Sequence, residues 1–343
     1  MNVGRSRIGG DVRLLFVALL FLLGLSVLAA IVSGKYPLPL VEAVRILASR
    51  FIPLEQTWTK PMEDVVLIIR LPRIVGAMLV GGALALAGGA YQGVFKNPLV
   101  SPDLLGVSAG AGVGASFAIL MHWPGWCIQV GAFCGGILAA GMAISLPRLM
   151  RNRTILMLVL SGVIVTGFMS AVQGILKYVA DSDSELPSIV YWLMGSLNDV
   201  KRENIGGTAP VILAAMAVLL AIRWRINLLS LSDIEARSLG IDVQRLRGVS
   251  ILCATVLTAS AVCLSGNIGW VGLIVPHLAR LLAGEDNRYS LPASVLLGAC
   301  FMVVVDTLTR TLTSEALPLS ILTGLVGAPL FVAILIRKRV SIE

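Results

Sequence analysis

Chemically reactive side chains are scarce in this chain. Of its 343 residues only two are histidines, and 13% are charged. A histidine metal cluster is therefore excluded, and we expect no cofactor. The sequence contains no GxxxxGK[ST] phosphate loop for ATP, and neither a Ser–His–Asp nor a paired-carboxylate constellation occurs in a plausible register. We predict no catalytic residue and no enzyme activity in this chain.

The five cysteines also lack the spacing of a metal site. They lie mostly within apolar segments, where a free thiol behaves as a small hydrophobic group. Their positions are Cys127, Cys134, Cys253, Cys263 and Cys300. Buried thiols are the expected state, and we predict no metal-binding residue.

Apolar residues dominate what remains. They make up 57% of the chain, and the mean hydropathy is +0.91, which is too apolar for a soluble globule. A membrane-spanning helix needs about 20 mostly apolar residues, and about ten segments are candidates, some of them short or broken. We therefore expect an all-α polytopic membrane protein with a single transmembrane domain over residues 1–343, in contact with membrane lipid.

Positive charge indicates which ends of the spans face the cytoplasm. The net charge of +8 does not indicate nucleic-acid binding, because the basic residues gather at 148–153, 223–247 and 337–339. Cytoplasmic loops of membrane proteins are enriched in Lys and Arg. The first apolar run, 14–32, follows three arginines and is long enough to span, so we expect a retained helix rather than a signal peptide. Both termini are then predicted to be cytoplasmic.

Small residues recur at every fourth position in the stretch around which the chain is organised, residues 70–115. Such a row lies along one helix face and leaves it nearly flat, so another helix can approach closely. The two rows are Ala77, Gly81, Ala85, Gly89 and Gly93, then Gly106, Gly110 and Gly114. We expect both rows to be packing faces.

A short polar break, KNPLVSP, separates the two rows. Pro98 disfavours a helical conformation at Asn97, so the first helix should end there. Ser101 is a candidate N-cap for the next helix, Pro102 suits its first position, and Asp103 suits its dipole.

The mixed segment 34–69 is predicted to be extramembranous. Leu40, Val44, Leu47 and Phe51 fall at helical spacing, which indicates an amphipathic surface helix with these residues on its apolar face.

Two polar stretches allow two interpretations each. In the fifth span, a stripe that includes Thr166 and Ser170, with Gln173 nearby, either packs against a neighbour or lines a path. In the loop 228–247, Ser232 and Glu235 form a capping box, Gly240 can close a first short helix and Asp242 can cap a second. An ordinary solvated loop is the alternative.

Asp306 is an acid within the ninth span, and Arg310 follows one turn later. An intramembrane acid is a candidate functional residue, which makes a proton-coupled secondary transporter the rival class. An Asp–Arg pair at this spacing can also satisfy itself on one helix face. Arg70 and Arg73 enter the second span from the outside, against the positive-inside bias, so snorkelling to lipid phosphates is an alternative for the arginines.

In this order, RLPR, a glycine-rich span, NPL-x-x-P and LLGVSAGAGVG resemble the permease subunits of type II ABC importers for iron–siderophore, haem and cobalamin. WLMGSL and GNIGWVGLIVPHLAR extend the resemblance over nearly the whole chain. It implies a homodimer in the inner membrane, two separate ATPase subunits and a periplasmic substrate-binding protein. An iron–siderophore is the expected cargo, with haem, cobalamin or molybdate as alternatives.

The resemblance also implies three sets of site residues. Binding-protein docking is expected at Arg70, Arg73 and Arg310. ATPase coupling is expected in the loop at Ser232, Asp233, Glu235, Ala236, Arg237, Leu239, Gly240 and Asp242. The pathway is expected along the fifth span, at Ile155, Leu156, Thr166, Ser170 and Gln173, with Ile155 and Leu156 near a cytoplasmic gate.

Overall fold

A computed structural model describes residues 4–152, 154–231, 233–313 and 317–340 of the chain. The described residues are almost entirely helical, and they include no β-strand. The α-helices are α1 Gly4–Val32, α2 Leu40–Ala48, α3 Lys60–Asp64, α4 Leu71–Phe95, α5 Val107–Leu120, α6 Gly125–Leu149, α7 Ile155–Val179, α8 Glu185–Leu193, α9 Arg202–Ile226, α10 Asp233–Ser238, α11 Val243–Ser265, α12 Val271–Ala283, α13 Asn287–Thr311 and α14 Leu319–Val340.

Length and hydropathy identify the helices that can cross a membrane. Within the described residues, seven helical segments are long and apolar enough to do so. They are Val12–Val32, Lys60–Phe95, Gly125–Leu149, Ile155–Val179, Arg202–Ser230, Val243–Ser265 and Asn287–Thr311. Three shorter apolar helices, at Val107–Leu120, Val271–Ala283 and Leu319–Ile334, account for the short or broken segments of the sequence. The all-α polytopic class is confirmed.

Helix α4 forms the centre of the bundle, and α9, α11, α12 and α13 pack around it. Residues of the predicted row, together with Gly88 beside it, make these contacts possible. A Cβ atom on Gly81 would lie 2.1 Å from the carbonyl oxygen of Gly298 in α13, and one on Gly88 would lie 1.7 Å from that of Gly272 in α12. The helices therefore meet backbone to backbone, where any side chain would clash. The apolar but glycine-interrupted segment that contains α12 is buried in the protein, as such segments must be.

The row in α5 packs in the same way against α6. A Cβ atom on Gly110 would lie 2.3 Å from the carbonyl oxygen of Gly135, and one on Gly114 would lie 2.0 Å from that of Gly131. Both predicted packing faces are thus confirmed, and α6 contributes a matching glycine row of its own.

The polar break ends α4 as predicted but does not begin α5 as predicted. Lys96 turns into the left-handed conformation, and the Asn97 side chain accepts a hydrogen bond of 2.9 Å from the Leu99 N–H. Residues Pro102–Leu105 form a separate 3₁₀ turn, in which Ser101 makes no side-chain cap. The predicted Ser101 cap is wrong because Gly106, at a φ of 75°, separates this turn from α5. Asp103 instead accepts a hydrogen bond from the Ser108 hydroxyl.

The segment 34–69 also differs from the prediction. Helix α2 forms, but Ala43 and Ile46 are its buried residues, whereas Leu40 and Val44 are exposed. An amphipathic helix on a membrane surface exposes its apolar residues to lipid, so the predicted apolar face stays a prediction. The second span also starts earlier than predicted, since α3 runs through a π-helical turn at Val65–Arg70 directly into α4.

Two names are used below for the ends of the bundle. The arginine end contains Arg73 and Asp306, and the loop end contains Lys96 and Leu231, which are joined by a hydrogen bond of 2.7 Å. The predicted topology places the arginine end outside the cell.

Candidate functional sites

A buried ion pair joins α4 to α13 at the arginine end. The Nε–H of Arg73 donates to both carboxylate oxygens of Asp306, at 2.8 and 3.0 Å. Arg310 Nε lies 3.5 Å from the same carboxylate, so the predicted pair within the ninth span is confirmed. The closer partner of Asp306, however, is Arg73, which lies 233 positions earlier in the chain. Asp306 is 1% exposed, and it holds two guanidinium groups in a nearly dry site.

Arg70 and Arg310 clamp the end of α1. Arg70 donates to the carbonyls of Ile31, Val32 and Tyr36, and Arg310 donates to those of Ala30 and Ser33, the latter two at 2.7 and 3.2 Å. The last carbonyls of a helix have no partner within the helix, and cations are favoured beside them. Both side chains are directed into the protein, so they do not snorkel to lipid. This clamp gives both arginines a structural role at the end that the predicted topology places outside.

The three arginines predicted for docking lie together. They line one surface cavity of about 580 Å³, together with Lys35, Tyr191 and Asn198. Arg73 also donates to the Asn198 side chain. Three arginines around one aspartate leave the cavity with excess positive charge, which would attract an acidic partner. The docking role itself stays a prediction.

A second polar network lies at the loop end. Arg280 donates to the Gln92 side chain, whose amide donates to the carbonyls of Val100 and Leu273 at 3.2 Å each. The network thereby ties α4 to the polar break and to α12.

Asn227 and Asp286 extend the polar contacts of the loop end. The amide of Asn227 donates to Asp286 at 2.7 Å, and its oxygen accepts from the Asn287 N–H at 2.9 Å. Partial burial raises the pKa of Asp286, but hydrogen bonds from Arg288 and Asn227 outweigh it, so this pKa lies below its usual range. Asp286 therefore stays ionised, and it caps the first turn of α13.

The loop predicted for ATPase coupling contains one short surface helix. Helix α10 covers Asp233–Ser238, and Gly240 follows it at a φ of 76°, in the left-handed region that was predicted for a closing glycine. Asp242 accepts from the Arg245 N–H at 3.0 Å and caps α11. The prediction of a second short helix is wrong, because α11 continues without a break to Ser265 and is itself the seventh span.

Some residues of this loop are buried, whereas others are exposed to solvent. Ala236 is buried at 1% and anchors α10, whereas Leu239 is 61% exposed and Ile234, which the sequence analysis did not select, is 83% exposed. Ser232, one half of the predicted capping box, lies outside the described residues, as do the side chains of Asp233 and Arg237. A turn that presents leucine and isoleucine to solvent has the character of a docking element.

One part of the polar stripe of α7 packs against neighbouring segments, and another part faces outward. A Cβ atom on Gly162 would lie 1.9 Å from the Leu104 carbonyl oxygen, and the Thr166 hydroxyl donates to the Gly162 carbonyl at 2.8 Å. Gln173 donates to the Ser116 hydroxyl of α5 at 2.7 Å. Ser170 is exposed. The packing interpretation therefore holds for one part of the stripe, and Ser170 alone of its polar residues lies on the open face.

That open face is mainly apolar. At its start, Leu156 is 77% exposed, whereas Ile155 is half-buried. Large apolar side chains continue it along the whole helix, and they include Leu160, Val163, Ile164, Phe168, Ile175 and Val179.

Comparison with known proteins identifies the class of protein that has this architecture. The sequence profile of the FecCD transport family matches residues 20–337. The chain belongs to this family. FecCD relatives include the molybdate import system permease protein MolB of Haemophilus influenzae, which is 39% identical over 311 residues, or 90% of this chain and 91% of the relative. Another, from Helicobacter pylori strain 26695, is named "Probable iron chelatin transport system permease protein" and is 41% identical over 278 residues, or 81% and 84% of the two chains.

A solved structure supports the same assignment. It is described as a metal-chelate type ABC transporter in an inward-facing conformation, and it has a TM-score of 0.84 and 36% sequence identity. The match covers 95% of this chain and 99% of the other. The chain is thus a permease of the type II ABC importer class, in agreement with the resemblance noted from the sequence. Proton-coupled transport through Asp306 is not supported, because that carboxylate is sealed against two arginines within an importer fold.

Sequence reasoning missed the contacts that cross between distant helices. It paired Asp306 with its neighbour on the same helix and did not select Asn198, Asn227 or Gln92. Each of these is a polar residue within or beside an apolar segment, and that position is the signal that could have marked it as a contact residue. The sequence alone does not show which segments become neighbours.

Replacement of Asp306 tests the buried ion pair. Asp306→Asn leaves two guanidinium groups buried without a counter-charge, which costs about 3–5 kcal/mol for a buried pair broken on one side. We expect a clear fall in the thermal unfolding temperature of the purified permease in detergent. Asp183→Asn, in an exposed loop, is the control. Unfolding at the wild-type temperature, with transport alone lost, would instead support a proton-coupling role.

Proposed function

We propose that two copies of this FecCD permease form the transmembrane path of a binding-protein-dependent ABC importer in the inner membrane. Two ATPase subunits dock at the loop end, which is cytoplasmic together with both termini. A periplasmic binding protein docks at the arginine end. The observation that carries the proposal is the loop around α10, a short helix closed at Gly240 that presents Ile234 and Leu239 to solvent beside the polar break.

The proposed cargo is a metal chelate, with an iron–siderophore favoured. The open face of α7 supports this choice because it offers mainly apolar side chains, with hydroxyls at Ser170 and Tyr178. A bulky chelate with an apolar periphery can slide past such a surface. A bare oxyanion loses its hydration there and gains few hydrogen-bond donors in exchange. Molybdate is the second candidate because MolB is 39% identical along 91% of its length; haem and cobalamin remain further alternatives.

Uptake by reconstituted vesicles tests the proposed function. We expect ATP-dependent accumulation of a ferric siderophore when the permease, its ATPase and the cognate binding protein are combined, and no accumulation without ATP. Radiolabelled molybdate, haem and cobalamin are measured in parallel. Accumulation of molybdate alone would overturn the cargo, and uptake driven by a pH gradient without ATP would overturn the importer assignment.

Pairing through α7 is tested by cross-linking. In a background without the five native cysteines, Leu156→Cys should cross-link two copies, because this side chain is 77% exposed on the proposed interface. Met157→Cys is the matched control, since Met157 is 8% exposed and faces the protein's own core. Failure of Leu156→Cys to cross-link in any nucleotide state, or equal cross-linking by both variants, would contradict this pairing.

Coupling through the loop is tested at Gly240. Its φ of 76° is unfavourable for a β-branched residue, although no atom lies within 4 Å of a Cβ placed there, so Gly240→Val should distort only the turn. We expect normal insertion but a loss of the stimulation of ATP hydrolysis by the loaded binding protein. Gly248→Val, at an exposed and equally open site within α11, is the control. Full stimulation in Gly240→Val would contradict the coupling role.

Docking at Arg70, Arg73 and Arg310 is proposed to act through their combined field. The surplus of positive charge would attract acidic side chains of the binding protein, and such steering weakens as salt screens it. The affinity of the binding protein for the permease should therefore fall as ionic strength rises. An affinity that is unaffected by salt would contradict this role.

A further inference from the structure

A groove of about 740 Å³ lies at the arginine end between α6 and α9, and it shares no lining residue with the arginine cavity. Both helices pack against α11, which forms the floor of the groove. Its lining residues come from the first turns of α6 and α9 and from the last turns of α11. Two neighbouring spans thus stand apart at the level where one leaflet of a membrane meets water.

The walls of the groove are apolar. Val130 and Phe133 of α6 face Val211 of α9 across it, and Val130 and Val211 are 52% and 40% exposed. Trp126, at the rim, is 65% exposed, and tryptophan concentrates at membrane–water interfaces. Exposed apolar walls on two spanning helices suit acyl chains.

The rim of the groove carries both signs of charge. Asp199, Lys201 and Glu203 lie side by side at the start of α9, and all three are exposed. None of them forms an ion pair within the part of the chain that the structure describes. One ammonium group between two carboxylates complements a head group that contains a phosphate and an amine.

The floor of the groove contains a buried polar atom. Ser260 of α11 is 1% exposed, and its hydroxyl has no hydrogen-bond partner among the described residues. A buried hydroxyl left unpaired is costly, which favours a ligand that brings an acceptor, such as a glycerol ester carbonyl, to the floor.

We propose that this groove binds one zwitterionic phospholipid with an amine head group. Lys201 holds the phosphate, Asp199 and Glu203 hold the ammonium group, and the ester region lies above Ser260. The acyl chains follow the apolar walls between α6 and α9. The site is independent of the cargo, and the lipid would brace two spans that both pack against α11.

Two neighbouring glycines of α9 provide a matched test. Neither Gly206 nor Gly207 has an atom within 4 Å of a Cβ placed on it, but only Gly207 lines the groove. Gly207→Phe should therefore fill the groove, whereas Gly206→Phe should leave it open. We would purify each full-length permease in detergent, add phosphatidylethanolamine, and count the retained lipids by native mass spectrometry.

We expect one phosphatidylethanolamine per wild-type chain and per Gly206→Phe chain, and about tenfold weaker binding to Gly207→Phe. Lys201→Glu, an exposed change that should not disturb folding, should weaken binding similarly and provides the readout if Gly207→Phe does not fold. Phosphatidylglycerol, which lacks the amine, should bind the wild type more weakly. Equal retention by wild type, Gly207→Phe and Lys201→Glu would overturn the site, and equal binding of the two lipids would overturn the head-group assignment.

Discussion

The rest of the structure depends on backbone-to-backbone contact around α4. Lipid tails are as apolar as leucine, so burial of apolar side chains gives little drive for helices to associate within a membrane. Close packing must supply it, and only residues without bulk allow two backbones to approach this closely. Gly81 against Gly298 and Gly88 against Gly272 meet this requirement, and they fix α13 and α12 against the central helix.

The polar sites follow from this arrangement. With α4 held against α13, Arg73 and Asp306 come within hydrogen-bond reach, and the neighbouring arginines can cap the end of α1. At the other end, Gln92 reaches the polar break and α12. Each network satisfies polar groups that would be costly in hydrocarbon. The two networks thereby tie neighbouring helices together at both ends of the bundle.

Much of this could be predicted from the sequence because it is encoded locally. Apolar runs gave the spans, the four-residue spacing of small residues gave the packing faces, and Gly240 gave the turn in the loop. Contacts between distant segments could not be predicted. Periodicity shows that a face such as Ala77 to Gly93 packs, but not which helix it meets. For the same reason Asp306 was assigned to its neighbour on the helix rather than to Arg73.

Capping signals read from the local sequence also failed where neighbouring residues decide which helix begins. Ser101 has the features of an N-cap, but the left-handed Gly106 starts α5 afresh. Asp242 caps a helix as expected, but that helix is the long seventh span α11 and not a second short helix. Both errors came from a local signal that does not show which longer element it belongs to.

The most direct test of the central claim is the thermal stability of Gly88→Ala. Added bulk in a well-packed interior typically costs about 1–3 kcal/mol, and here the new methyl group would lie 1.7 Å from a carbonyl oxygen of the adjoining helix backbone. The account predicts a marked fall in the unfolding temperature of the purified permease, whereas Gly206→Ala, at an open site, unfolds as the wild type does. Equal unfolding temperatures for all three proteins would contradict it.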